Sequence, residues 1–214
     1  SLSGPVGDGV TPSPWQQLLG TVYDGTADTN DLSSPTHDYY TGVADATNLA
    51  DSSDGGTWVG LFDNLVAGDD YYEGIVQTIT LESGVTYRIA FEQANFGQLH
   101  TSSLLYDHSG KIEILIDDGT ATPTTIIGDG GTMAIGTGWN SQSITYTPTV
   151  SGDHTIAFKA KKVAGSGSPA SDNDGAYLSL DGVSIVKNSG ESCINQQDTD
   201  TDGTPDHLDP DSDA

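Results

Sequence analysis

The sequence predicts an all-β protein built from two packed antiparallel sheets. Short runs of alternating apolar and polar residues recur along the chain, and segments rich in Gly, Ser, Thr and Asp separate them. No long segment repeats its apolar residues with the 3.6-residue period of an amphipathic helix. Seven or more strands that each bury one face need a second layer to cover that face, so the pattern favours a sandwich.

Seven segments carry the clearest alternation. We expect them to be strands: Thr57–Phe62, Gly74–Leu81, Val85–Phe91, Lys111–Asp117, Ser141–Pro148, His154–Lys161 and Ala176–Lys187. In the last of these, a kink is expected at Asp181-Gly182, where the alternation changes phase. The large side chains in these patterns are expected to fill the core: Trp58, Tyr87, Phe91, Trp139 and Phe158.

The charge of the chain limits its partners. It has 31 acidic and 6 basic residues and a formal net charge of −25. Nucleic acid and anionic membranes are poor partners for such a surface, whereas metal cations are favoured. No apolar run approaches the roughly 20 residues that span a bilayer, so membrane insertion is not expected. Cys193 is the single cysteine, so no disulfide forms within the chain and calcium is the expected cross-link.

The C-terminal segment spaces its acids like a calcium-binding loop. Counted from Asp198, carboxylates fall at positions 1, 3, 5, 9 and 12, and Gly203 stands at position 6. Calcium takes six to eight oxygen ligands, and a glycine at this place allows the sharp turn of such a loop. The alternative is a disordered acidic tail.

This run resembles a thrombospondin type 3 calcium repeat. Asp209-Pro-Asp211-Ser-Asp213 then opens a second repeat that the chain end interrupts, which indicates a fragment of a longer extracellular protein. The resemblance implies oxygen ligands in this segment: Asp198, Asp200, Asp202, Thr204, Asp206, Asp209, Asp211 and Asp213. We expect a domain over 1–187, a linker over 188–197 and the truncated repeat over 198–214.

The order of motifs in the main domain resembles galactose-binding-like jelly-roll modules. These motifs are Asp54-Gly-Gly-Thr-Trp-Val-Gly60, Leu81-Glu-Ser-Gly-Val-Thr-Tyr87, Ser151-Gly-Asp-His-Thr155 and Leu180-Asp-Gly-Val-Ser-Ile185. Such modules, similar to carbohydrate-binding modules, occur in bacterial secreted adhesins and polysaccharide-degrading proteins. The resemblance implies a structural calcium ion between the first and last strands, held by Asp181 and by carbonyls near Ser3–Gly4. The alternative is that Asp181 only caps a β-bulge at Gly182.

Sugar recognition needs an aromatic face for the pyranose ring and polar groups for its hydroxyls. Residues in polar segments supply the candidates: Trp15, Tyr39, Tyr40, Tyr71, Tyr72, Tyr106 and His108. We expect Tyr71 and Tyr72 to lie in a loop after Asp69-Asp70, and Tyr106 and His108 to share another loop. For each ring the alternative is packing in the core or anchoring of a loop.

The segment Gly25–Gly56 is a further candidate for calcium. It is long, shows little apolar periodicity, and is rich in aspartate. Long ordered loops in compact domains are usually functional or metal-tied. The aspartates in or beside it are Asp24, Asp28, Asp31, Asp38, Asp45, Asp51 and Asp54.

No motif of catalysis is present in the sequence. It lacks the Gly-x-Ser-x-Gly elbow, the His-Glu-x-x-His motif and a phosphate-binding glycine loop. Glu73 and Glu92 are the candidates for a glycosidase pair, but a loop hydrogen bond and a solvated strand face are their expected roles. The lysines at 159, 161 and 162 alone do not make a basic groove.

We therefore expect a noncatalytic, calcium-stabilised carbohydrate-binding module of an extracellular or cell-surface adhesin or secreted multidomain protein. Its expected partners are a glycan or polysaccharide and the neighbouring domains of the same polypeptide. The alternatives are a structural spacer or filament domain and a protein–protein adhesion domain, neither of which has a glycan ligand.

Overall fold

The protein is an antiparallel β-sandwich of the jelly-roll type. The computed structural model describes residues 14–18, 28–30, 53, 57–66, 69–95, 98–100, 103–106, 108–117, 123–163 and 175–188. These residues form thirteen strands: β1 (Gln16–Gln17), β2 (Asp28–Asn30), β3 (Trp58–Val66), β4 (Asp69–Tyr72), β5 (Gly74–Leu81), β6 (Tyr87–Asn95), β7 (Gln98–His100), β8 (Ser103–Tyr106), β9 (Gly110–Ile116), β10 (Thr125–Asp129), β11 (Thr137–Tyr146), β12 (Gly152–Lys162) and β13 (Gly175–Lys187).

Two sheets face each other. Sheet 1 has the strand order β1-β5-β12-β9-β10, and sheet 2 has the order β11-β6-β13-β3-β2, with β4 paired to β3. The strands β7 and β8 form a separate hairpin. Among the residues that the structure describes, no helical segment has the length and apolarity that a membrane crossing requires.

The core lies between the sheets and draws on the apolar positions of both. Its largest cluster combines residues with at most 2 % exposure, which include Val59, Leu61, Ile89, Phe91, Ile112, Ile114, Ile156, Phe158, Leu178 and Leu180. Successive side chains of a strand point to opposite faces, so the residues between these positions point away from the core. This alternation gives each sheet an inner face and an outer face.

The seven strands expected from alternation are all present, with bounds shifted by a few residues at most of their ends. Six short strands were missed: β1, β2, β4, β7, β8 and β10. The expectation that Tyr71, Tyr72 and Tyr106 lie in loops was wrong. The first two end β4, and the third ends β8. Two to five residues with little alternation give a weak strand signal, because pairing with a neighbouring strand decides their conformation.

The expected kink in β13 is a β-bulge. The pairing of β13 with β6 changes register between Asp181 and Ser184, and Gly182 has a φ of 58°. Glycine adopts this left-handed conformation without the strain that a Cβ brings. Val183 and Ile185 therefore return to the inner face, where they pack against the core.

Candidate functional site

An aromatic cluster lies on the outer face of sheet 2. Val59 and Leu61 belong to the core between the sheets, so Trp58 and Phe62 on the same strand point outward. With Tyr177 and the half-buried Trp139, they form a cluster separate from the core, which we call the aromatic cluster.

The expectation that Trp58 is a buried core residue is confirmed, with 2 % exposure, although it packs in this cluster and not between the sheets, whereas Trp139 is only half-buried. The same expectation is confirmed for Tyr87, Phe91 and Phe158, which pack between the sheets. Alternation alone identifies two faces of a strand, but it does not say which face meets the other sheet when both carry large apolar residues.

The two indoles reach towards each other across the sheet. Trp139 is on β11 and Trp58 on β3, with β6 and β13 between them. Three strand spacings of about 4.8 Å separate those backbones by about 14 Å. The ring centroids are only 6.1 Å apart, with an interplanar angle of 76°. Both side chains therefore lean inward over the intervening strands, and each fixes the orientation of the other.

Small residues under the rings make this approach possible. Ala94 and Gly60 lie directly opposite Ser179, on its two sides. The phenol of Tyr177 lies over Gly60, because a Cβ built there would be 1.8 Å from the Tyr177 hydroxyl oxygen. These three small residues form a trough across the sheet, which we call the Ser179 trough.

The Ser179 hydroxyl lies in this trough. Ser179 has no solvent exposure, and its Oγ has no hydrogen-bond partner among the described residues. Buried hydroxyls in proteins are almost always hydrogen-bonded, so this group needs an explanation. Sequence reasoning did not single out Ser179, Tyr177 or Phe62, because serine and aromatic residues in a strand carry no signal of their own.

A row of oxygen-bearing side chains runs beside the trough. Ser141, Glu92 and Asp181 occupy directly opposed positions on three adjacent strands. The Ser141 hydroxyl donates a 2.5 Å hydrogen bond to Glu92. This row places carboxylate and hydroxyl oxygens next to the aromatic cluster, which is the combination that sugar recognition requires.

Asp181 is fully buried and caps the bulge. Its Oδ1 accepts a 2.7 Å hydrogen bond from the Gly182 N–H, and its Oδ2 accepts from the Ser53 N–H and Oγ at 2.8 and 2.9 Å. The capping role considered for Asp181 is thus present. Its role as a calcium ligand stays a prediction, and Ser3–Gly4 lie outside the described residues.

The tyrosine candidates do not come together in one described site. Tyr72 is half-buried against the small apolar cluster of Leu18, Leu115 and Ala157. The Lys159 ammonium lies 3.6 Å from the centroid of its ring. One face of Tyr72 is therefore covered, and a sugar stacks on that face only if Lys159 moves.

His108 lies in the connection between β8 and β9, as expected, and it is buried there, with 4 % exposure. Its backbone N–H donates to the Gly175 carbonyl, and its carbonyl accepts from the Asn95 side chain. Trp15 packs edge-on against Phe158, with centroids 5.7 Å apart, so its ring is anchored to the core.

The remaining predicted site residues lie outside the described part of the chain. They are Tyr39, Tyr40, Asp198, Asp200, Asp202, Thr204, Asp206, Asp209, Asp211 and Asp213. Of the acidic segment Gly25–Gly56, the structure describes Asp28–Asn30, which form β2, and Ser53.

Each lysine on the outer face of sheet 1 interacts with a nearby carboxylate or aromatic ring. Lys161 lies directly opposite Lys111, but Lys111 pairs with Asp129 at 2.7 Å. This pair raises the pKa of Lys111 and lowers the pKa of Asp129. Lys161 is 3.9 Å from the buried Asp63. Since acids accompany these ammonium groups, the face is not a basic groove.

The carboxylates considered for catalysis have structural roles. Glu73 is 7 % exposed, and it accepts a 3.0 Å hydrogen bond from the Phe62 N–H. Its expected role as a hydrogen-bond acceptor in a connection is confirmed. Glu92 is half-buried on the outer face of sheet 2, where Ser141 donates to it.

Similar proteins were found among solved structures. No protein-family model and no curated protein matches the chain. The K1 cleaved adhesin domain of Lys-gingipain from Porphyromonas gingivalis W83 aligns over 86 % of this chain and 96 % of its own, with 12 % identity and a TM-score of 0.48. The module TmCBM61, solved with β-1,4-galactotriose, aligns over 82 % and 89 %, with 15 % identity and a TM-score of 0.43. A CBM4 module aligns over 61 % and 83 %, with 16 % identity and a TM-score of 0.39. The similar structures thus include carbohydrate-binding modules and an adhesin domain.

Proposed function

We propose that the protein is a noncatalytic carbohydrate-binding module that holds a sugar on the outer face of sheet 2. The observation that carries this proposal is the half-buried Trp139 on an outer face, leaning on Trp58 at 6.1 Å. An indole fixed in this way offers a flat apolar surface, and ordering it for binding loses little conformational entropy.

Polar groups next to Trp139 supply the second part of a sugar site. Ser141 lies two residues after Trp139 on the same face of β11, and its hydroxyl donates to Glu92. A carboxylate accepts hydrogen bonds from sugar hydroxyls, and a serine hydroxyl both donates and accepts. Trp139 contacts the C–H face of a pyranose, while Glu92 and Ser141 bind its hydroxyls.

Calcium belongs to this proposal as a structural ion. Asp181 and Glu92 are opposed across the strand pair, and like charges in this position repel each other. The side chains of these residues and of Ser53 present only oxygen atoms, which suits calcium. The ion would be held by Asp181, with Glu92 beside it, and a further site is proposed for the C-terminal repeat.

The test of the calcium proposal is titration calorimetry with Ca²⁺ on the whole chain. Asp181→Asn is expected to remove one binding event, and Asp200→Asn with Asp202→Asn another. Unchanged stoichiometry in Asp181→Asn would show that this residue only caps the bulge.

We also propose that the module acts outside the cell, within a cell-surface adhesin or a secreted multidomain protein. The protein-adhesion alternative has no specific support from the described residues. The large apolar side chains that they expose are few: Ile126 in β10, Val150 between β11 and β12, and Val186 in β13.

The test of sugar binding is a glycan array that includes β-1,4-galactotriose, run in millimolar calcium and again in EDTA. Trp139→Ala is expected to weaken any binding by at least tenfold, which corresponds to about 1.4 kcal/mol. Trp15→Ala is the matched control, because Trp15 is also half-buried and packs edge-on against an aromatic ring. Trp15→Ala also removes an indole, but one that packs on the core, so sugar binding is expected to persist.

Three outcomes distinguish the proposed carbohydrate-binding function from its alternatives. The proposed sugar site is supported if Trp139→Ala abolishes binding and Trp15→Ala retains it. Binding that both folded variants retain places the sugar elsewhere on the protein. The absence of binding by the folded wild type leaves the spacer and protein-adhesion alternatives.

A further inference from the structure

The Ser179 trough has the shape of a small binding site that is closed. Ala94, Ser179 and Gly60 stand side by side on β6, β13 and β3. Ala94 and Ser179 have no exposure. Since all three side chains are small, their own atoms leave a depression, and the phenol of Tyr177 lies over its Gly60 end.

Tyr177 fills one end of this depression. A Cβ on Gly60 would lie 1.8 Å from the Tyr177 hydroxyl oxygen and 2.4 Å from the ring carbon that bears it. The phenol therefore occupies the space that any other side chain at position 60 would need. Trp58 and Trp139 belong to the same aromatic cluster as Tyr177, with their ring centroids 6.1 Å apart.

The floor of the trough carries a polar group whose bonding capacity is unused. The Ser179 hydroxyl has one donor and two acceptor lone pairs, and none has a partner among the described residues. A closed apolar site gains nothing from such a group, because an unpaired buried hydroxyl is unfavourable. The hydroxyl of a sugar, which also donates and accepts, matches it.

We propose that Tyr177 gates a subsite of the sugar-binding face. Rotation of its side chain away from Gly60 opens the trough, and one hydroxyl or hydroxymethyl group of the sugar enters and bonds to Ser179. Trp139 remains the stacking surface. This inference rests on the proposed carbohydrate-binding function, and it adds a closed state, so the apparent affinity equals the affinity of the open state multiplied by the fraction of molecules that are open.

The gate makes two predictions that a purely structural role does not. Tyr177→Ala removes the phenol and leaves the trough open, so affinity is expected to rise. Ser179→Ala removes a buried hydroxyl without a partner, so it is expected to weaken sugar binding while leaving the melting temperature unchanged or higher. A hydroxyl that supported the fold would lower the melting temperature when removed.

The experiment is a saturation-transfer NMR titration of the whole chain with D-galactose, D-glucose, D-mannose and D-xylose. For the sugar that binds best, Tyr177→Ala is expected to tighten binding at least fivefold, and Ser179→Ala to weaken it at least fivefold. Tyr177→Phe keeps the ring and removes the hydroxyl over Gly60, so a smaller increase in affinity is expected. It serves as the test if the alanine variant does not fold. Tyr146→Ala is the control, because this half-buried tyrosine packs against the core.

The outcomes separate the gate from the site. The gate is overturned if Tyr177→Ala leaves Trp139-dependent binding unchanged or weakens it. Tyr177→Phe gives the same test if the alanine variant does not fold. In both cases the proposed function stands. Binding that Ser179→Ala leaves unchanged also overturns the subsite. If neither the wild type nor the Tyr177 variants bind any of the four sugars, the gate is overturned and the proposed function is contradicted.

Discussion

Gly60→Ala tests the packing on which the candidate site depends. The added methyl would lie 1.8 Å from the Tyr177 hydroxyl oxygen, whereas ordinary contacts begin near 3.4 Å. The phenol must therefore retreat by at least about 1.6 Å, although Tyr177 is only 6 % exposed. Overpacking of this kind is destabilising by about 1–3 kcal/mol. A value of about 2 kcal/mol lowers the Tm of a domain of this size by roughly 4–8 °C.

The assay is equilibrium unfolding in urea, with calorimetry for the Tm and near-UV circular dichroism for the aromatic cluster. Gly138→Ala is the matched control, since a Cβ at Gly138 meets nothing within 4 Å. Its stability is expected to change by less than about 0.5 kcal/mol. In the Tyr177→Ala background, Gly60→Ala is expected to lose most of its effect, because the colliding group is gone. Equal stability of Gly60→Ala and Gly138→Ala would refute the placement of Tyr177 over Gly60.

Three further predictions concern buried polar groups. Burial alone lowers the pKa of His154, but hydrogen bonds to backbone carbonyls and the Asp117 carboxylate outweigh it and raise this pKa above 6.5. The stabilisation by His154 is thus complete below about pH 6.5 and is lost as pH rises through the folded pKa. We expect the unfolding free energy of His154→Gln, measured from pH 5 to 9, to lack this decrease. Burial raises the pKa of Asp63 above 3.8. Asp63 therefore favours folding more as pH falls through its folded pKa towards 3.8, and Asp63→Asn should flatten the unfolding free energy measured over that range. The Gln93 side chain bonds to two carbonyls and one N–H at 2.6, 3.0 and 3.2 Å. Chemical denaturation of Gln93→Ala should therefore show a free energy of unfolding lower by about 2–4 kcal/mol. The control Gln142→Ala should lower it by less than about 0.5 kcal/mol.

The strands of the sandwich were predictable because burial of one face leaves a period of two in the sequence. In β6, Ile89 and Phe91 alternate with Arg88 and Ala90, and the structure buries the first pair more deeply. The kink at Asp181 was also predictable, since the apolar positions change phase there. These features are local, and a single strand carries enough residues to reveal them.

The candidate site was not predictable in the same way. Trp58 and Trp139 are 81 positions apart, and they meet only because β11, β6, β13 and β3 are adjacent in sheet 2. Their contact also requires small residues beneath the rings, and Ser179 carries no mark of this in the sequence. Tyr72 illustrates the opposite error, because a polar flanking sequence predicted exposure and a distant lysine covers its ring.

The distribution of charge makes the two outer faces suited to different tasks. Three of the six basic residues, Lys111, Lys159 and Lys161, lie on the outer face of sheet 1. There they hold acids and the ring of Tyr72 in place. On the outer face of sheet 2, Arg88 lies six residues from Ala94 along β6, or about 20 Å at 3.4 Å per residue.

The groups nearest the aromatic cluster are therefore the carboxylates of Glu92 and Asp181, with no ammonium or guanidinium beside them in the described part of the face. Carboxylates accept from neutral sugar hydroxyls but repel carboxylated or sulfated sugars. A neutral oligosaccharide should thus bind more tightly than its uronic-acid counterpart in EDTA. Calcium should narrow the difference if it binds between Glu92 and Asp181. A preference for the acidic sugar without calcium would place the binding site elsewhere, on a surface that carries free cations.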